Sequence, residues 1–258
     1  MTFSKILLLL TLGLLILSLN TLKILKLDAI FFAAHPDDAE LSCGGTIRKL
    51  VKSGKKIGIV DLTLGELSTR GSNEKRKIEA EKSNKVLGIS VRENLKIPDG
   101  NIENNSKNRL KVIAVIRKYK PEIIFFPHFH DRHPDHYHTH MLVKNSAFYS
   151  GLAKIKTSSP PHRPRRNYYY MQSYVFEPNL IVDISDAFDD KMKSIECYSS
   201  QFYNPKSKEA ETYISSKKFM EFIKARAKFH GFQIGAEYGE PFYTEEKIKI
   251  NPGGLFEI

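Results

Sequence analysis

Three short runs in this chain are apolar at consecutive positions: "LDAIFFAA" from Leu27, "KKIGIVDLT" from Lys55 and "PEIIFFP" from Pro121. A strand with that pattern must be buried on both faces, which an antiparallel sheet open to water on one side does not require. Between them lie "GGTIRKLVKSG", "NEKRKIEAEKSNKVLG" and "KNRLKVIAVIRKYK", which read as helices, and "RENLKIP", which reads as a further strand. "HPDHYHTHMLVKNSAFYSG" continues as a helix, "YYYMQSYV" and "NLIVDIS" as strands, and two late helices are expected near 187–201 and 215–229. Strand–helix alternation of this kind specifies a Rossmann-like α/β fold: a mostly parallel sheet flanked by helices. In such sheets function gathers at the carboxyl ends of the strands. Here those ends read "AHPDDAE", "LGELSTRG", "PDGN" and "PHFHDRHPDH", so polar side chains from four strands converge on one rim.

Composition narrows the partners. With 41% hydrophobic and 27% charged residues the 258-residue chain is globular, not disordered. Its formal charge of +11 is scattered over lysines such as Lys52, Lys75 and Lys82 with no nucleic-acid motif beside them. That scatter reads as solvated surface; no nucleic-acid partner is expected, and an anionic small-molecule substrate fits. Cys43 and Cys197 form no CxxC pattern, which excludes a disulfide scaffold and favours a reducing compartment.

The start of the chain is different. Ile6 to Leu22 is an uncharged apolar run at the lower limit for a membrane span, and no A-x-A-like cleavage site follows it. Lys5 on one side and Lys23 and Lys26 on the other do not fix an orientation. Three readings stand: a short membrane anchor, an upstream extension from a misplaced start codon, or a core helix. The last is weakest, because a helix apolar on every face needs protein all round it. A strand starting at Leu27 leaves almost no linker behind such a helix. Residues 1–26 are therefore read as a dispensable leader and residues 27–258 as a single cytoplasmic catalytic domain, with membrane contact through residues 6–22 left open.

Crowding Asp37 and Asp38 beside His35 at a buried strand end is costly unless a cation changes the balance. His35 and Asp38 stand three apart across Pro36, close enough to grip one ion, and two histidines with one carboxylate and an open position make a common hydrolytic zinc site. The third ligand is expected from His128, His130, His133, His136, His138 and His140, clustered after the fourth strand. "HYHTH" is no HExxH metalloprotease helix, since Tyr137 stands where the glutamate would be. His138 and His140 read as ordinary helix residues, and Gly44 and Gly45 suit either backbone approach to the site or tight packing.

"AHPDDAE" with "HPDH" about a hundred residues later resembles the PIG-L/LmbE-like de-N-acetylases. The resemblance implies a zinc enzyme that removes acetyl groups from N-acetylglucosamine conjugates, although the ligand set also suits Fe(II) or another divalent ion. It implies His35, Asp38 and His136 as metal ligands and Asp37 as general base, so one carboxylate holds the ion while the other works on water. It gives His133 the oxyanion or leaving amine, with Asp135 holding its tautomer. Arg76 and Asp99 match substrate-side residues of the family. "DLTLGELSTRGSNEKRKIEAEKSNKVLGI", "PHRPRRNYYY", "LIVDISD" and "ARAKFHGFQIGAEYGEPF" further resemble the bacillithiol-biosynthesis branch, which implies N-acetylglucosaminyl-malate as substrate and a homo-oligomer, commonly a hexamer. A two-carboxylate aglycone calls for cationic groups at the rim, for which Arg70, Arg76 and Arg132 are the candidates.

Overall fold

The computed structural model describes residues 25–249 and 251–252; the leader reading for residues 6–22 lies outside them. Leu27 is buried, and its N–H donates to the Tyr119 carbonyl at 3.0 Å, so the chain is already part of the core there. Strand β1 (Ala29–Ala33) is buried throughout, as its doubly apolar sequence requires. Alternate side chains leave its opposite faces. Ile30 and Phe32 join Val60, Ile116, Phe126 and Leu142, while Ala29, Phe31 and Ala33 join Cys43, Ile47, Ile59 and Phe125. Phe31 stacks on Phe125 with ring centroids 4.2 Å apart. Removing that ring would cost about 3–5 kcal/mol.

Helix α1 (Asp38–Lys52) follows β1, then β2 (Ile57–Asp61), α2 (Asn73–Leu87), β3 (Val91–Asn94), α3 (Ser106–Tyr119) and β4 (Ile123–Pro127). Helix α4 (Pro134–Tyr149) leads to β5 (Arg166–Tyr170), β6 (Leu180–Asp183), α5 (Phe188–Glu196), α6 (Lys217–Gln233) and β7 (Gly239–Tyr243). The sheet order is β3-β2-β1-β4-β5-β7-β6. The first five are parallel, with Ala29 opposite Ile57 on one side of β1 and Ile123 on the other. Strand β7 is antiparallel to both β5 and β6. Since β1 and β4 are adjacent but their connections leave in opposite directions along the sheet, the crevice between their carboxyl ends is the topological switch point.

Several expectations change. Helix α1 begins at Asp38, six residues before the expected glycine start, because the polar Asp-Asp-Ala-Glu stretch suits the positive end of a helix dipole. Gly44 and Gly45 therefore lie inside α1, and a Cβ on Gly45 would meet Ile184 at 2.7 Å, which selects the packing role. Strand β5 stops at Tyr170: Gln172 is buried, and the Ser173 N–H turns to Asp131 instead of a ladder partner. β7, "GEPFY", was not expected, because glycine and proline disguise it; Pro241 is accommodated opposite Ile181. The late helices run 188–196 and 217–233. Among the described residues no helix is long and apolar enough to cross a membrane.

Candidate active site

The turn after β1 is bent sharply. Pro36 carries the chain into Asp37, which has φ 126 and ψ −24, a backbone that residues with a Cβ rarely adopt. Asp37 precedes α1 as its N-cap but makes no side-chain cap bond; its carboxylate turns instead to Arg76 of α2, whose Nη1 donates to Asp37 Oδ2 at 3.0 Å and to the Pro36 carbonyl at 2.6 Å. The next carboxylate, Asp38, accepts the His35 backbone N–H at 2.9 Å through Oδ2. From the β4–α4 side, Asp38 Oδ1 lies 3.3 Å from His136 Nε2. One donor atom each from His35, Asp38 and His136 lie within 4.8 Å of one another.

The electrostatics of this cluster favour positive charge at its centre. Burial pushes Asp37 up to about 7, with Arg76 opposing and Asp38 adding to the rise. Asp38 is also buried, yet the charge on His136 and hydrogen bonds from His136 and His35 hold it well below the usual carboxylate range. Burial works against protonation of His35 and His136, but the carboxylates win. His35 is raised well above its ordinary value by Asp135, Asp38 and Asp99, and His136 to about 9 by Asp38 and Asp131. A pocket that draws protons onto two imidazoles facing one carboxylate is equally suited to a divalent cation, which competes for the same lone pairs. Two neutral imidazoles and one carboxylate, with space beside them, match a hydrolytic zinc site.

His133 caps α4: its Nδ1 accepts the Asp135 backbone N–H at 3.2 Å. Its ring sits 4.9 Å from that of His35 and 5.1 Å from that of His136, and burial with their charges lowers its pKa. The expectation that the Asp135 carboxylate holds the His133 tautomer is corrected here. That carboxylate accepts from Gly100 N–H at 2.9 Å and lies 3.4 Å from His35 Nε2, so it is the Asp135 backbone that orients His133.

These groups line one side of a cavity of about 350 Å³ whose far wall is built from α6 and the segment before it, including Tyr213, Phe219 and Ile223. Of the residues expected on the substrate side, Arg132 stands exposed at the rim with its guanidinium 4.5 Å over the Tyr213 ring. Arg76 and Asp99 also line the cavity but are committed within the protein. Arg76 is tied to Asp37, and Asp99 has Oδ1 2.9 Å from His35 Nε2 while Oδ2 accepts the Leu67 N–H at 3.0 Å. Arg70 is not at this cavity. It is buried against the 203–209 segment, donating to Ser207 Oγ at 2.7 Å, and faces a separate hollow.

Three residues were not anticipated. Asp131 Oδ1 lies 2.7 Å from His136 Nδ1, and burial of the carboxylate is outweighed by that contact and by backbone N–H donors, which hold it down at about 2. Its signal was a charged residue interrupting the histidine run. Arg226, brought from α6, is lowered to about 10 by burial and donates to the carbonyls of Gln172 and Leu41 at the cavity wall. Gln172, on the same wall, accepts from Ser42 Oγ at 2.7 Å. Nothing local in the sequence marks these last two.

The fold and this site fit a hydrolase of the α/β class in which two histidines and one carboxylate could hold a divalent ion beside a second carboxylate. The chain belongs to the PIG-L family: the family model, described as GlcNAc-PI de-N-acetylase, matches residues 30–147. It is an N-deacetylase, an amide hydrolase using a divalent metal, typically zinc. The chain is similar to diacetylchitobiose deacetylase of Thermococcus kodakarensis, at 29% identity over 87% of this chain and 83% of that protein. It is also similar to a probable N-acetyl-alpha-D-glucosaminyl L-malate deacetylase 2 of Bacillus cereus, at 27% identity over 65% of this chain and 80% of that one. Among solved structures it matches the conserved protein TT1542 of Thermus thermophilus with a TM-score of 0.81 and 33% identity, covering 88% of this chain and 98% of that one.

Proposed function

We propose that the chain removes the acetyl group from the 2-amino position of an N-acetylglucosaminide, releasing acetate and a free amine. The observation that carries this reading is the clustering of His35, Asp38 and His136 about one point, with the buried Asp37 carboxylate next to them. In this reading those three residues hold the ion, which when bound acidifies water and polarises the acetamido carbonyl. Asp37, raised to about 7 by burial, takes a proton from the attacking water near neutral pH, and Arg76 keeps its carboxylate aimed. His133, oriented through Nδ1, keeps Nε2 for the developing oxyanion or the departing nitrogen.

For the aglycone, the rim favours a saccharide. Arg132 is the one arginine lining the cavity that no carboxylate or carbonyl engages among the described residues, and it rides on Tyr213, an aromatic face suited to a sugar ring. The relative from T. kodakarensis, named for diacetylchitobiose, supports the same choice. N-acetylglucosaminyl-malate is the second reading, favoured by the B. cereus relative; it would leave one malate carboxylate without an arginine. Comparing kcat/KM for the two compounds and free N-acetylglucosamine decides. A saccharide aglycone is expected to win, and preference for the malate conjugate by tenfold or more would reverse the assignment.

A further inference from the structure

Both imidazoles that face Asp38 have a buried carboxylate on their other nitrogen, and they do so in opposite senses. His35 turns Nδ1 towards Asp38, 3.5 Å from Oδ2, and Nε2 towards Asp99 at 2.9 Å, with the Asp135 carboxylate 3.4 Å from the same nitrogen. His136 turns Nε2 towards Asp38, 3.3 Å from Oδ1, and Nδ1 towards Asp131 at 2.7 Å. A neutral imidazole has one N–H and one lone pair, and an ionised carboxylate can only accept. The N–H must therefore face Asp99 in His35 and Asp131 in His136, leaving the Nδ1 lone pair of the first and the Nε2 lone pair of the second aimed at the same point.

Asp131 does more than hold one ring. Its side chain is 2% exposed, and both oxygens are filled by donors. Oδ1 also accepts the His133 N–H at 3.1 Å, and Oδ2 accepts the N–H groups of Ser173 at 2.7 Å and Tyr174 at 3.3 Å. Ser173 lines the cavity, whereas Asp131 does not, so Asp131 acts only through the groups it holds. One carboxylate thus joins His136, the cap residue His133 and the substrate wall that follows β5.

We propose that Asp131 and Asp99 are positioning residues that fix which ring nitrogen His136 and His35 offer to the ion, with Asp131 also locking the Ser173 wall to the ligand loop. This rests on reading His35, Asp38 and His136 as the ligands. Asn at either position keeps the size but sets an NH2 where an acceptor stood, so a donor meets a donor and the ring can turn over. Zinc affinity of Asp131→Asn and Asp99→Asn, measured by competition with a chromophoric chelator, is expected to fall 10–100-fold in each. A second readout needs no variant: ring ¹⁵N–¹H spectra of the zinc-loaded wild type should show a protected Nδ1 proton on His136 and an Nε2 proton on His35. Wild-type affinity in both Asn variants, or ring protons on the opposite nitrogens, would overturn the proposal. His136→Ala is the control that separates the two readings. If it too binds zinc like the wild type, the ligand assignment fails; if it alone loses the ion, only the positioning role fails.

Discussion

Asp37 is held with φ 126 and ψ −24 at the mouth of α1, outside the regions open to a residue with a Cβ. Such a conformation costs about 1–3 kcal/mol and persists only where surrounding structure enforces it. Glycine adopts it without strain, but loses about 0.4–1 kcal/mol more than alanine through the freedom of its unfolded chain. Replacing Asp37 by Gly and by Ala removes the same carboxylate, and in both cases Arg76 keeps the Pro36 carbonyl and Ser68 as partners. The loss of that buried ion pair is common to the two variants and cancels in their difference. What is left is strain relief against chain entropy, so the Gly variant should be the more stable by about 1–2 kcal/mol.

Urea denaturation of both proteins, stripped of metal with a chelator, measures that difference without the linkage that a bound ion adds. Both variants should be inactive as deacetylases. At a position away from a helix cap, with φ and ψ open to L-residues, the order would be reversed, with Ala ahead by the entropy difference alone. An unstrained N-cap would favour Gly only by the ordinary cap preference. An Ala variant equal to or more stable than the Gly variant would therefore refute the claim that this turn stores strain to aim the Asp37 carboxylate.

Other outcomes follow from the same geometry. Single replacement of His35, Asp38 or His136 by Ala should strip the ion and abolish acetate release; full metal content in any one removes that residue from the ligand set. His140, buried with Nδ1 3.0 Å from the Pro127 carbonyl, is pushed down to about 4 by burial, so folding favours its neutral form. That contribution, on the order of 3 kcal/mol, is complete above the unfolded value of about 6.5 and is lost as pH falls towards 4. Wild type should consequently lose more stability than His140→Leu between pH 7 and 4.5, and parallel stability curves would disprove it. A truncation beginning at Lys26 should be soluble and active, since Leu27 already bonds to Tyr119; an unfolded product would move the domain boundary upstream.

The parts of this site that were legible in the sequence lie next to one another along the chain. Doubly apolar runs announced β1, β2 and β4, and the polar residues after β1 and β4 could be placed on one rim because parallel strands align their carboxyl ends. What stayed hidden depends on contacts between distant segments. Arg70, Arg76 and Asp99 have the residue types of substrate contacts, but whether a charge meets ligand or protein is decided by Ser207, Asp37 and His35, far away in sequence. Asp131 shows locally only as a charge within the histidine run, and its hold on Ser173 comes from a distant segment. Arg226 and Gln172, joined to Leu41 and Ser42, have nothing local to reveal them. Strand β7 was masked for another reason: Gly239 and Pro241 lower strand propensity, and pairing with two neighbours overrides it.

The division of labour between Asp38 and Asp37 is tested most directly by zinc content and acetate release in one variant, Asp37→Asn, with an N-acetylglucosaminide as substrate. One zinc per chain, as in the wild type, is expected, with turnover down by about 10²–10⁴-fold, the range for removal of a general base. Wild-type turnover in that variant, or loss of its zinc, would contradict that division.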